Sequence, residues 1–280
     1  MRSQRFLIAI LIAAAVAGLL LLWHMVRLAS SMPVVREARV ALDYPAGVPR
    51  HPIRIALISD THMSGPDSPP ARIKQIVTAV NAQRPDIVLL AGDYLGNDKP
   101  LGARYSPAES TAPFARLRAP LGVLAVLGNH DYWNNSAQAV RAGLERAGVT
   151  VLVNRAIRRE SLAIGGVDDV IHGRPDIAGT VRATRSLGGI PILLAHEPDI
   201  FVLSPRFGPL MLTGHTHCGQ VVFPLIGALW LPSKVGRRYT CGRYDEGGRT
   251  LIVTGGVGTS GLPIRLGAAP EFWIVTIVPK

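Results

Sequence analysis

Cysteine is nearly absent from this chain, with only Cys218 and Cys241 in 280 residues. Two are too few for a disulfide framework, and their placing does not match a structural zinc site. Cys218, beside His217, reads as a small packed residue rather than a soft metal ligand, and whether the pair is bridged stays open. Aromatic residues are scarce at 6%, and the 30 lysines and arginines are dispersed without a long basic run. The stacking platforms and basic stripes of nucleic-acid binders therefore have no counterpart, and no nucleic-acid partner is expected despite a net charge of +11. Charged residues make up only 18% against 48% hydrophobic, a balance that suits a folded globule and excludes a disordered chain.

Phe6–Trp23 is a run of eighteen residues without a charge. As a helix it spans about 27 Å at ~1.5 Å per residue, close to the ~30 Å hydrocarbon core of a bilayer. Trp23, His24 and Arg27 follow it in the manner of an interfacial anchor. A cleaved signal peptide is the competing reading, because Arg2 and Arg5 precede the apolar core and Leu28-Ala29-Ser30-Ser31 offers small residues. The length of the core favours a single-pass anchor in the cell (inner) membrane. Arg2 and Arg5 against Arg27, Arg36 and Arg39 nearly tie by charge, with a slight lean to an extracytoplasmic domain. The positive balance then fits attraction to membrane lipids with anionic head groups. The expected organisation is an anchor over 1–31, a linker over 32–52 holding four prolines and an edge strand near Ala38–Leu42, and one domain over 53–280.

Within that domain five short apolar runs each finish in residues able to hold a metal. Ile53–Ser59 leads into Asp60-Thr61-His62, and Ile87–Ala91 into Gly92-Asp93. Leu121–Leu127 leads into Gly128-Asn129-His130-Asp131, Pro191–Ala195 into His196, and Pro209–Thr213 into Gly214-His215-Thr216-His217. Continuous apolar runs suit strands covered on both faces, and open α/β sheets bind ligands beyond the carboxyl ends of their strands. Five such endings point to one site assembled from five loops. An Asn carbonyl oxygen can ligate a hard divalent cation, while the His130 imidazole beside it can carry a proton.

These spaced blocks resemble the calcineurin-like metallophosphoesterases over roughly residues 53–217. Cys218-Gly219-Gln220-Val221 through Pro224, and the tail from Thr254 to Pro270-Glu271, resemble the bacterial membrane-associated branch of that family. The resemblance implies an α/β fold, a four-layer α/β/β/α sandwich of two mixed sheets, with two divalent ions at the sheet edge. It implies that Asp60, His62, Asp93 and His217 hold the first ion, and Asp93, Asn129, His196 and His215 the second, with Asp93 bridging. Oxygen and imidazole donors without thiolate fit Mn²⁺, Fe or Zn²⁺. Two such ions activate water and orient a phosphoryl group, which leaves His130 as the catalytic residue that protonates the leaving alkoxide or steadies the phosphoryl charge.

Phosphoester hydrolysis is the expected activity, on a lipid-linked phosphodiester or pyrophosphate; relatives include enzymes acting on UDP-2,3-diacylglucosamine. A phosphomonoesterase or protein phosphatase is the second reading. A catalytically silent, membrane-tethered phospholipid or metal binder is the third, disfavoured because no ligand is missing.

Around these blocks, Pro69-Pro70 opens a helix to about Gln83, with Ile73, Ile76, Val77 and Val80 on one face. Tyr94–Ala112 is a long loop expected to overhang the site. Ser136 is expected to cap a helix to Ala147, with strands near Thr150–Val153 and Leu162–Gly166, a short helix over Glu197–Leu203, and closing strands at Leu251–Val253 and Phe272–Ile277. His172, in the loop after Asp168-Asp169, belongs to no block. Val221–Pro232 is apolar but broken by Pro and Gly, followed by Lys234, Arg237 and Arg238. It fits either core or an apolar lip beside the metals, and the lip reading suits acyl chains or a bilayer surface.

Overall fold

Apolar runs that alternate with amphipathic stretches fold here into two stacked sheets clad with helices. The computed structural model describes residues 2–100, 102–204 and 207–280. In chain order the elements are α1 (Arg2–Ala29), β1 (Val34–Leu42), β2 (Ile53–Ile58), α2 (Pro70–Ala82), β3 (Ile87–Ala91), α3 (Pro107–Thr111), β4 (Val123–Val126), α4 (Asn129–Tyr132), α5 (Ala137–Arg146), β5 (Thr150–Val151), β6 (Arg155–Arg159) and β7 (Leu162–Gly166). They continue with α6 (Ile177–Ser186), β8 (Ile190–Leu194), α7 (Asp199–Leu203), β9 (Leu210–Thr213), β10 (Val222–Phe223), β11 (Gly227–Ala228), β12 (Gly242–Glu246), β13 (Arg249–Val253) and β14 (Glu271–Pro279).

The first sheet has the order β1-β14-β2-β3-β4-β5, and the second β12-β13-β9-β8-β7-β6. Strands β2 to β5 are parallel, as are β13, β9, β8 and β7, whereas β14 runs antiparallel to β2 and β6 to β7. Both sheets are therefore mixed. Between them lies one apolar core, with Leu57, Leu89, Leu124 and Val126 facing Ile192, Leu212 and Ile252. A second core joins the outer face of the first sheet to Ile73, Ile76 and Val80 of α2 and to Val140 and Leu144 of α5. A third covers the other sheet with Ile200 and Phe201 of α7, with Ile177 and Val181 of α6 packed against it. The layers are α/β/β/α, as the resemblance implied.

The expected helices and interior strands lie close to where the sequence places them, and several edges differ. Strand β1 starts at Val34, earlier than expected, and pairs in parallel with all nine residues of β14, so the stretch read as linker supplies a sheet edge. Strand β6, Arg-Ala-Ile-Arg-Arg, was not expected; it is an edge strand with charged side chains outward, so it carries no apolar run. Only Thr150–Val151 of the expected 150–153 strand pairs. Ser136 stands before α5, but in helical geometry, and its hydroxyl makes no capping bond.

Helix α1 is long and apolar enough to cross a membrane, and its apolar window is exposed throughout. Among the described residues, its last turns and the residues just after them meet the domain. Arg265 N donates to Met25 O at 3.0 Å, Arg72 Nη2 donates to Ser31 O at 2.6 Å, and Ala29 is fully buried. Four residues separate its end from β1.

Candidate metal centre

The carboxyl ends of β2, β3 and β4 in one sheet, and of β8 and β9 in the other, meet at a common rim. All seven expected ligands are gathered there and buried. Asp60 Oδ1 lies 3.4 Å from His217 Nε2 and 3.8 Å from His62 Nε2, and the two imidazole nitrogens are 3.1 Å apart. On the other side His196 Nε2 lies 3.2 Å from Asn129 Oδ1 and 3.1 Å from His215 Nδ1. Asp93 Oδ2 stands between the groups, 3.3 Å from His62 Nε2 and 3.2 Å from His196 Nε2.

Each carboxylate is aimed by a backbone amide. Asp93 Oδ1 accepts from His130 N at 2.9 Å and Asp60 Oδ2 from His215 N at 3.0 Å, which turns the remaining oxygen of each inward. Asp60 Oδ1 is buried and accepts no hydrogen bond. A carboxylate oxygen left bare among ring nitrogens is costly unless a cation meets it. His196 Nδ1 donates to Ala91 O at 2.7 Å, which leaves Nε2 to face the centre, the arrangement common to metal-ligating histidines. The residues present thus fit a pair of divalent ions.

Backbone geometry tells the same story. Asp60, His62, Asp93, His215 and His217 all have positive φ, between 37° and 71°. Such backbone costs of order 1–3 kcal/mol per residue and survives where the surroundings over-determine it, most often at functional sites. Gly128 is required by close approach: a Cβ there would collide with the Asp93 carboxylate.

Charges inside the rim are strongly coupled. Burial alone would lower the histidines, yet the neighbouring Asp60 and Asp93 carboxylates hold His62 up to about 10, and Asp93 holds His196 well above the ordinary range. His215 behaves oppositely, pushed down to about 4 by burial and by the neighbouring His196. The pocket therefore calls for positive charge, and protons and metal ions compete for the same nitrogens.

His130 sits beside these groups. Its ring stacks on Trp133 with centroids 4.1 Å apart, Nδ1 lies 3.2 Å from Asn97 Oδ1, and Asp98 Oδ1 is 3.9 Å away. Burial lowers its pKa, although Asp93 works against that. Asn97 and Asp98, early in the 94–112 stretch, stand beside His130, and Ser260 Oγ and Gly261 N hold Asp98 through its Oδ2; farther along, the stretch expected as loop carries α3. A cleft of about 340 Å³ opens in front, lined by Asp93, Asn129, His130, His172, His215 and Trp230 among others. His172 thus reaches the cleft wall, with its ring 6.5 Å from that of Trp133.

Besides Asn97, Asp98 and Trp133 around His130, further supporting residues were given no role by the sequence reading. Asp131, wholly buried, accepts from the amides of Gly128, Asp93, Tyr94 and Leu95 at 2.9, 3.0, 2.8 and 3.3 Å, which ties the β4 loop to the β3 loop. Arg265, also wholly buried, donates to the carbonyls of Gly255, Gly258, Ala268 and His217 and backs the His217 turn. Lys99 pairs with Asp67 at 2.6 Å inside the same wall. Asp131 stands in a quoted block and was the one visible in advance.

The apolar stretch after the last ligands is surface, not core. It forms the β10–β11 hairpin, with Leu225 fully exposed and Ile226, Leu229 and Trp230 more than 60% exposed. Cys218 and Cys241 are bridged, which closes a loop around the whole stretch.

A family model described as calcineurin-like phosphoesterase matches residues 53–219. The metallophosphoesterase YkuE of Bacillus subtilis, described as uncharacterized, is 32% identical over 233 residues, covering 80% of this chain and 78% of that protein. Phosphodiesterase YaeI of Escherichia coli is 30% identical over 240 residues, covering 81% and 83%. A Danio rerio transmembrane protein with metallophosphoesterase domain is 32% identical over 247 residues; the match covers 81% of this chain and 53% of that protein, so the chain spans about half its length.

Proposed function

Because the chain belongs to the calcineurin-like phosphoesterases, we propose that it is a dinuclear metal-dependent hydrolase of phosphodiesters or pyrophosphates carried on lipids. The observation that carries the reading is the Asp93 carboxylate shared between the His62 and His196 nitrogens. Asp60, His62, His217 and Asp93 would hold one ion, and Asp93, Asn129, His196 and His215 the other. When bound, such ions activate water and stabilise the charge of an in-line displacement at phosphorus.

The chain's own residues do the rest. His130, fixed by Asn97 and by the Trp133 ring, presents its imidazole to the cleft beside the ligands. A ring with lowered pKa is neutral near pH 7, and with Nδ1 donating to Asn97 Oδ1 its Nε2 is left an acceptor; once substrate charge has raised its pKa and it has taken a proton from solvent, Nε2–H donates to phosphoryl oxygens or passes that proton to the leaving alkoxide. Trp133, Ile171, Trp230 and Pro232 supply the apolar part of the cleft, suited to a lipidic leaving group rather than a bare sugar or peptide.

Helix α1 anchors the domain to a membrane in this reading, with the domain outside the cytoplasm. The Cys218–Cys241 bridge supports that side, since disulfides persist in oxidising compartments. An extracytoplasmic domain would meet exported phospholipids or envelope phosphoesters rather than a cytoplasmic nucleotide-linked precursor. Alkaline phosphatase or a fluorescent protein fused at Lys280 tests the orientation; a fluorescent, phosphatase-negative fusion would reverse it. The chemistry is tested by metal analysis together with turnover of bis(p-nitrophenyl) phosphate against p-nitrophenyl phosphate. About two equivalents of metal and a preference for the diester are expected. A preference for the monoester would shift the assignment to a phosphomonoesterase, and no turnover with metal bound would refute it.

A further inference from the structure

We infer that the β10–β11 hairpin docks on the same bilayer that α1 crosses, with anionic lipid head groups as its partner, so that the metal cleft opens at head-group level. The inference rests on α1 being a membrane helix, and its depth measurement stands independently of catalysis.

Three observations lead there. The first is position. Arg265 N donates to Met25 O of α1, and the next residue, Leu266, pairs with the hairpin strand: Leu266 N donates to Gln220 O at 2.9 Å, and Val222 N to Leu266 O at 2.8 Å. The base of the hairpin, at Gln220 and Val222, is therefore one residue away from the helix, beside Met25. That is also the level where the uncharged run ends, at Trp23, and where Arg27 lies over the Trp23 ring at 5.4 Å. Aromatic and basic residues of this kind mark the membrane–water boundary.

The second is what the hairpin exposes. Leu225 and Ile226 form its turn and Leu229 and Trp230 follow, all extensively exposed, and Leu262 is exposed on the neighbouring loop. Scattered apolar residues on a surface need no explanation, but five in one place beside a membrane helix do.

The third is charge. Lys234 and Arg237 line a cavity of about 480 Å³ together with Ile226, Leu229 and Trp230. Cations behind an apolar tip are complementary to an anionic head group with its acyl chains below. Trp230 also lines the metal cleft, which makes the cavity and the cleft neighbours. A lipid phosphoester can then pass from the bilayer surface to the ligands along one wall.

The test uses the full chain in nanodiscs containing phosphatidylglycerol. A nitroxide is placed at Leu225→Cys, where the two native cysteines are bridged and do not compete, and a second sample carries it at Glu160→Cys, in the turn between β6 and β7. Collision with oxygen should dominate at 225 and collision with a nickel chelate at 160. Nickel-dominated collision at 225, as at 160, would overturn the docking. In parallel, Leu225→Glu with Ile226→Glu should leave turnover of the soluble diester within about twofold and lower turnover of a phosphodiester embedded in vesicles at least ~10-fold. Equal losses on both substrates would also overturn it. If the wild-type chain hydrolyses neither substrate, the enzymatic reading fails while the nitroxide depth still decides the docking.

Discussion

Asp131→Ala asks how much of the centre depends on a residue that touches no metal. In the folded chain its carboxylate receives four amides, three of them at 3.0 Å or less, and none of these donors has water to turn to. An orphaned buried donor costs about 1–3 kcal/mol. Three would cost at least ~3 kcal/mol, with part returned because the carboxylate itself is uncomfortable: burial and the Asp93 charge push it up to about 7. A net loss of roughly 3 kcal/mol lowers Tm by about 6–12 °C for a domain of this size. The same change frees the Gly92-Asp93 turn, so metal should bind more weakly as well. Thermal unfolding of metal-free protein isolates the first effect, and metal titration of the folded variant isolates the second. Asp131→Asn is the companion variant; its amide keeps one acceptor oxygen but points N–H at N–H toward Gly128 and Asp93, so it should lose nearly as much. A fall in Tm below ~2 °C for Asp131→Ala, with metal affinity unchanged, would refute the role assigned to these bonds.

Asp93→Ala should lose metal and activity together, whereas His130→Ala should keep its metal and lose turnover by about 10²–10⁴, read by metal analysis beside diester kinetics. An empty His130→Ala site would make that histidine a ligand. Reduction of Cys218–Cys241, or their joint replacement by Ser, removes a constraint across a separation of 23 residues and should cost roughly 3 kcal/mol in Tm-based stability while exposing 221–232 to protease. An unchanged Tm under reductant would contradict the bridge's contribution. For the metal-free protein, His62 raised from 6.5 to about 10 contributes stability that is complete below pH 6.5 and is lost as pH climbs toward 10. The loaded protein should show the reverse on the acid side, since falling pH returns protons to the ligands and expels metal; matched denaturation curves across pH distinguish the two.

The interior of this fold was legible because buried strands declare themselves as apolar runs, and because each of five such runs ended in residues of metal-binding type, which the fold gathers at one rim. Edges were harder. Strands β6 and β12, Arg155–Arg159 and Gly242–Glu246, are half-buried sheet edges rich in charged residues, so no apolar run marks them until a partner strand is known. Long-range support was hidden for a different reason. Arg265 lies 48 residues after His217, and its partners are carbonyl oxygens that every residue possesses. Asp131 was in view, but its partners are amides brought over from the β3 loop. The apolar 221–232 stretch fitted core or lip equally until exposure was known, since hydropathy cannot tell which side of a surface a residue occupies.

Between Ala29 and Val34 the chain has four residues, and β1 then locks into the sheet along its full length. A domain held this way is bracketed, not tethered. On the proposed reading of a membrane anchor and a lipid-borne substrate, its working volume is a thin shell along one leaflet, and encounters there follow lateral diffusion in two dimensions. That reading predicts a rate that tracks the mole fraction of substrate in the membrane, so dilution with inert lipid should slow it while dilution of the vesicle suspension should not.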